Sequence, residues 1–209
     1  DWAAAEASFK RAIELNPSLA EAHIGYAHLL SNLGRPEEAT GEARQAVLLD
    51  PLSPLVNTLA SNFSVIGSQR SDARQGWEKA LELDPDFWTA LLSRSGSKLS
   101  AGDHAGAIAD LRRATALSGG NSQVLAALAM VHVSAGDRQA AVRILHDLEV
   151  RDRAGYVPAT SLAAVRNALG DSAGALDLLE RAYQERDIRL VFFRVDARWN
   201  NLRTQPRFQ

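Results

Sequence analysis

Five histidines and the 25 Asp and Glu residues are the side chains of this 209-residue chain best suited to proton transfer or metal binding. His23 and His28 are five residues apart, about 140° around a helix, so they do not share a face as an i, i+4 zinc pair does. His104, His132 and His146 carry no metal-ligand spacing, and no HExxH, P-loop or nucleophile elbow occurs. Ser118-Gly119-Gly120-Asn121-Ser122 resembles a phosphate loop in composition. It lacks the preceding strand and the lysine, and reads as a helix stop followed by an Asn/Ser cap. Cysteine is absent, which excludes disulfides and cysteine-containing zinc sites. Metal, cofactor and catalysis are therefore not expected within these residues.

Formal net charge is −2 and the isoelectric point is about 6.2. No global basic field favours nucleic acid or anionic lipid, so direct nucleic-acid binding is not expected. No apolar run reaches the length of a membrane span, so this segment is not expected to insert into a membrane. The expected compartment is the cytoplasm, or the periplasm if a membrane span precedes the segment.

What must position any functional residue is a repeat. Pro17, Pro51 and Pro85 stand 34 residues apart, each closing a Leu-(Asn/Asp)-Pro triplet. Ala5, Ala39, Ala73, Ala107, Ala141 and Ala175 keep the same step. So do Gly34, Gly102, Gly136 and Gly170, with Ser68 filling the gap. A fixed period of this length signals stacked helical pairs that grow by nearest-neighbour interfaces. Full units run 20–53, 54–87, 88–121, 122–155 and 156–189, after a half repeat at 1–17. Asp1 falls partway through a repeat, so a longer protein is expected.

Each unit holds two stretches of about fourteen residues with apolar residues at i, i+3, i+4 and i+7, as in Leu55, Leu59, Phe63 and Ile66. Helices of roughly 21 Å are too short to be stable alone and need neighbours. The glycines stand where a first helix must end in a left-handed residue. Asp103, Asp137 and Asp171 follow as N-caps of second helices, and the alanines let paired helices approach. The prolines end second helices.

The pattern resembles the tetratricopeptide repeat (TPR), on Trp2, Ala5, Phe9, Ala12 and Pro17 in the half repeat and Gly34, Ala39, Ala46 and Pro51 in the first full unit. The resemblance covers residues 1–187 and implies an all-α fold, a right-handed superhelix or α-solenoid of antiparallel helix pairs. Gly119, Arg153 and Asp187 replace the proline in the last three units. A narrower resemblance rests on Ala116 to Gly120, Arg153 to Pro158, Ala182 to Arg186 and the tail Leu190 to Phe208. These are similar to a bacterial lineage in which a TPR module follows a winged-helix DNA-binding domain of the OmpR/CadC type, or a Ser/Thr kinase or cyclase domain. That lineage's tail resembles LVFLKVDPRFDPLRSDPRF. Here it is LVFFRVDARWNNLRTQPRF, with Ala197 for Pro and Asn200-Asn201 for Asp-Pro. Residues 188–209 also hold four of the thirteen aromatics, which suits a segment capping the exposed face of a terminal repeat.

The TPR resemblance implies a concave groove lined by positions 2, 5, 9, 12 and 13 of each first helix. On this chain the partner-binding residues are then Ile24, His28, Ser31, Thr58, Asn62, Val65, Leu92, Leu99, Met130, Val133 and Asn167, with Gly96, Ala126, Thr160 and Ala164 between them. Glu21 is the only charge among these positions. Relatives that clamp a chaperone's free carboxylate place Lys and Asn here. Only Asn62 matches, so an acidic C-terminal peptide is not expected to bind. A protein or peptide segment with small apolar anchors suits the lining better. Arg94, Lys98 and Arg166 form a basic margin, read either as snorkelling side chains or as an anchor for one acidic group. The expected function is an interaction and regulatory module of a bacterial signalling or transcription-regulatory protein. The alternatives are a scaffold that forms homo-oligomers, or the substrate-recruiting arm of an upstream kinase or cyclase.

Overall fold

A computed structural model describes residues 1–66 and 70–208, without the side chains of residues 65, 66 and 70–72. Ser68 and the side chain of Val65 lie outside the described residues. Eleven α-helices and no strand occur among the described residues: α1 (Trp2–Leu15), α2 (Ala20–Asn32), α3 (Pro36–Leu49), α4 (Pro54–Ile66), α5 (Arg70–Leu83), α6 (Trp88–Ser100), α7 (His104–Leu117), α8 (Ser122–Ser134), α9 (Arg138–Ala154), α10 (Ala159–Ala168) and α11 (Ser172–Gln184). Three short 3-10 turns follow, at Ile188–Phe192, Ala197–Trp199 and Pro206–Phe208. No helix among them is long and apolar enough to cross a membrane.

The pairs are joined by a turn that follows from two side chains. Gly102, Gly136 and Gly170 take φ of +78°, +84° and +85°, a region open to glycine without a Cβ penalty. The next residue then closes a six-residue loop back into the helix: the amides of Asp103, Asp137 and Asp171 donate to the carbonyls of Lys98, His132 and Arg166, each at 2.9 Å. The same aspartates start the second helix by accepting the amides of Gly106, Ala140 and Gly174. In the first full unit Arg35 replaces the aspartate. Pro36 at the first helical position removes one of the amides that would need a cap. Between the fourth and fifth units the pattern shifts: with Arg153 in place of proline, α9 runs on to Ala154, and α10 starts only after Pro158.

The chain divides into two compact units, residues 1–94 and 95–209. In the first, α2 packs on α1, α3 and α4, and α4 on α5. Ala39, Ala43 and Ala46 are buried in this core beside Leu30, Val56 and Phe63, so α3 approaches α2 across small side chains. Two side chains tie the loops: the His23 ring meets the carbonyl of Pro17 at 3.0 Å, and one repeat later Asn57 donates to the carbonyl of Pro51 at 3.0 Å. In the second unit α8 packs on α7, α9 and α10, and α10 on α11. Arg181 clamps Asp152 with two bonds of 2.7 and 2.9 Å, joining α11 to α9. The tail folds onto this unit: Trp199 and Leu202 are buried with Ala163 and Ala164 of α10 and Leu176 and Leu179 of α11.

At the N-terminal end, Glu6 of α1 receives Lys10, Arg35 and Tyr26, which hold its carboxyl down at about 2. The folded value lies below the ordinary 4.5, so this contact stabilises the fold above pH 4.5 and is lost as pH falls toward 2. Glu6→Gln should therefore flatten acid unfolding in that window, as followed by thermal denaturation across pH. Arg186 takes glycine's place in the turn after α11, at φ 55°. Arg186→Gly is expected to raise stability by up to about 1 kcal/mol in urea unfolding, the strain relieved being partly offset by glycine's entropy.

Candidate functional site

The side chains at positions 5, 9 and 12 of the first helices divide by burial, not by sequence character. In the first unit Ile24, Ser31 and Thr58 are buried, at 6%, 5% and 0% exposure. At that burial they line no open surface. The Thr58 hydroxyl finds no hydrogen-bond partner there. His28, Asn62 and Leu92 stay half-buried. The His28 ring tilts against Phe63 with centroids 5.9 Å apart, and burial pushes its pKa below the ordinary imidazole value. It is therefore neutral at pH 7. Asn62 is fixed by accepting the Trp77 indole N–H at 3.1 Å.

In the second unit Leu99, Met130 and Val133 are half-buried, while Ala126 is buried. Gly96 is exposed. The fifth repeat is different, because its lining is taken by the chain itself. Thr160 donates to the buried Asp187 at 2.6 Å, and Ala164 is 2% exposed. Asn167 makes a reciprocal amide pair with Asn201, at 3.1 and 2.8 Å, and donates to the carbonyl of Arg198 at 2.8 Å. Arg189 reaches back to Gln123 of α8 at 3.3 Å. A tail with apolar residues suggested a cover in the sequence; its polar contacts with Thr160 and Asn167 had no local signal.

The basic margin resolves into internal ion pairs. Lys98 Nζ meets the carboxylate of Asp110 on α7 at 2.8 Å, and Asp110 is 6% exposed. Arg166 bridges Glu149 at 2.6 Å and Asp171 at 2.7 Å. Asp171 and Glu149 push its pKa further above the usual guanidinium range. His132 stands midway between them by the 34-residue step, is buried, and meets Asp137 at 3.4 Å. Position 11 thus holds Lys98, His132 and Arg166, each facing an acid of the next helix or its cap. Stepping from Lys98 to His132 to Arg166 would have revealed it. Arg94 lies at another position and is half-buried. Among the described residues no group of three or more His, Asp or Glu is placed to hold a metal ion.

A family model described as tetratricopeptide repeat matches residues 1–62 and 98–156, and a second of the same description matches residues 67–122. Solved structures share the fold. PilW, described as a widely conserved type IV pilus biogenesis factor, is 22% identical, with 98% of this chain and 91% of that one covered at a TM-score of 0.68. A thermophilic TPR protein of Thermus thermophilus is 21% identical over 88% of this chain and 89% of its own, at 0.65. YrrB, described as having an unusual peptide-binding site, is 21% identical over 88% and 96%, at 0.52. No curated protein sequence matches the chain.

The internal pairing of Lys98 has a measurable weight. Lys98→Met leaves the buried Asp110 carboxylate without this cation and should cost about 2 kcal/mol in urea unfolding. Lys98→Met with Asp110→Leu should recover most of the loss. An unchanged midpoint for Lys98→Met would mean that the ion pair contributes nothing to the fold.

Proposed function

This chain belongs to the tetratricopeptide repeat family, and from that premise we propose that it holds a segment of a partner protein against the first helices of its repeats. Repeats of this family are protein–protein interaction modules. The observation that carries the reading is chemical: the half-buried first-helix residues His28, Asn62 and Leu92 in one unit, and Leu99, Met130 and Val133 in the other, are all uncharged at neutral pH. Lys98 and Arg166, beside them in the second unit, are spent on the chain's own acids. A surface of this kind favours a segment with small apolar anchors over an acidic C-terminus. The peptide-binding site named for YrrB supports the same class of ligand.

We read residues 188–208 as a cap on the last repeat, supported by the burial of Trp199 and Leu202 against α10 and α11. On that reading the partner does not use the fifth repeat's lining. We further assign the module to a bacterial signalling or transcription-regulatory protein. The support for that context is the likeness of the tail, Leu190 to Phe208, to the lineage described above.

Peptides selected from a random display library on the wild-type chain provide the test. Binding measured by calorimetry should weaken at least about tenfold, 1.4 kcal/mol, in Leu99→Glu and Val133→Glu, both half-buried, Val133 at the edge of the second unit's core. Peptides ending in consecutive acidic residues should be absent from the selected set. Affinities unchanged in both variants, with helical content retained, would sink the reading.

A further inference from the structure

The 34-residue step that equates side chains between repeats also equates two clefts in the first unit, both on the side formed by the second helices. One, of about 580 Å³, lies between α1, α2 and α3, with Lys10, Ile13, Tyr26 and Glu42 in its walls. The other, of about 440 Å³, lies between α3, α4 and α5, where Arg44, Val47, Ala60 and Gly76 hold the same four positions. Volume does not separate them. Their walls do.

The first cleft is built around aromatic rings of the chain itself. Tyr26 is buried, stacks on Phe9 with centroids 6.3 Å apart, and donates its hydroxyl to Glu6 at 2.9 Å. One repeat later Phe9 and Tyr26 become Ala43 and Ala60, and Leu30 becomes Ser64. The second cleft therefore reaches a floor of small side chains where the first meets rings. That floor asks for no polar partner, because Ser61 and Ser64 donate to carbonyls of their own helix, at 2.7 and 3.1 Å. Gly76 fixes the spacing of the walls: a Cβ there would lie 2.0 Å from the Ser61 hydroxyl and 3.0 Å from the Asn57 carbonyl.

The charge of the rim changes as well. Glu14, Glu38 and Glu42 line the first cleft, with Lys10 as the cation. Arg44 and Lys79 line the second, and no carboxylate is among its described lining residues. Lys79 meets Glu82 of its own helix at 3.4 Å, an exposed pair that a competing carboxylate can replace at little cost.

We propose that the α3–α4–α5 cleft docks an aromatic side chain of a protein partner that carries a carboxylate beside the ring. The ring takes the place that Tyr26 and Phe9 fill from within one repeat earlier, and the carboxylate meets Lys79 at the rim. A volume of this size lies within the range of small-ligand pockets, roughly 300–1,000 Å³. Aromatic side chains supply the most buried area per residue of any anchor. The site is separate from the first-helix surface proposed above, so either can fail without the other.

The test uses the 15N-labelled chain and the probe N-acetyl-Phe-Asp-amide. Saturable shifts are expected at the amides of Ala43, Ala60, Gly76 and Lys79. N-acetyl-Phe-Asn-amide and N-acetyl-Leu-Asp-amide should bind more weakly. Ala60→Phe, which fills the floor, should abolish the shifts, and Lys79→Glu should weaken binding with the fold intact. Leu99→Glu should leave it unchanged. Should Ala60→Phe fail to fold, Lys79→Glu decides, and undiminished binding there overturns the proposal. So does the absence of shifts at these four amides. Equal saturation by free phenylacetate would make this a site for a small aromatic acid and overturn the assignment to a protein partner.

Discussion

A helix of thirteen or fourteen residues cannot bury its apolar face alone, so each helix pair with a described turn depends on reversing direction within about three residues. The reversal is a single device used repeatedly. A glycine at positive φ ends one helix, and the following aspartate both closes that helix's last turn and caps the next. Because one residue serves two helix ends, the register between the helices is fixed. Ala107, Ala141 and Ala175 then always face the partner helix, and all three are fully buried. Where Arg35 and Pro36 replace the aspartate device, the helix start is held instead by ion pairs from Arg35 to Glu6 and Glu38. That exchanges a cap of local origin for a tertiary contact, and it places the burden on α1.

The same fixed register explains why Lys98 and Arg166 turn their charge inward although they lie on first helices. Position 11 faces the second helix of its own pair. Lys98 and Arg166 are partly enclosed there and meet acids that the chain supplies, Asp110 for the one and Asp171 with Glu149 for the other. Removing Lys98 would leave the buried Asp110 carboxylate without that cation, whereas the pair together is close to neutral in its effect on stability. The pairs therefore act mainly as constraints on how two helices sit. Their charge is withdrawn from the surface on which a partner would lie.

Much of this frame was legible in the period. The glycine turns, the aspartate caps and the buried alanine column depend on residues within six positions of one another, and local chemistry decides them. The acid facing Lys98 was not legible, because Asp110 lies on the next helix and only packing selects it from several nearby polar residues. Burial at Ile24, Ser31 and Thr58 was missed for a related reason. Family geometry names a face, while the closeness of α2 and α4 determines which side chains on that face remain open. The end of α9 shows the opposite case. Losing the proline at position 153 allowed three more helical residues than the repeat allots, a local effect readable from Arg153 itself.

A repeat frame also lets neighbouring surfaces diverge at little risk to the whole, since each interface contributes nearly independently to stability. The packing of α1 on α2 is held by the Phe9–Tyr26 stack and the Glu6 network. The next repeat gives up both rings and the buried leucine at position 30, losses that would destabilise an isolated pair by removing aromatic contact area. It compensates through backbone proximity and one new anchor. Gly76 lets α5 approach α4 directly, and Trp77, 2% exposed, packs beside it with its indole bonded to Asn62. An aromatic residue returns two repeats along the column, from Phe9 past Ala43 to Trp77. Packing between α4 and α5 is thereby kept while the floor between α3 and α4 is left small. The backbone frame stays constant, and the difference between the two clefts rests on side chains that it could exchange without a new fold.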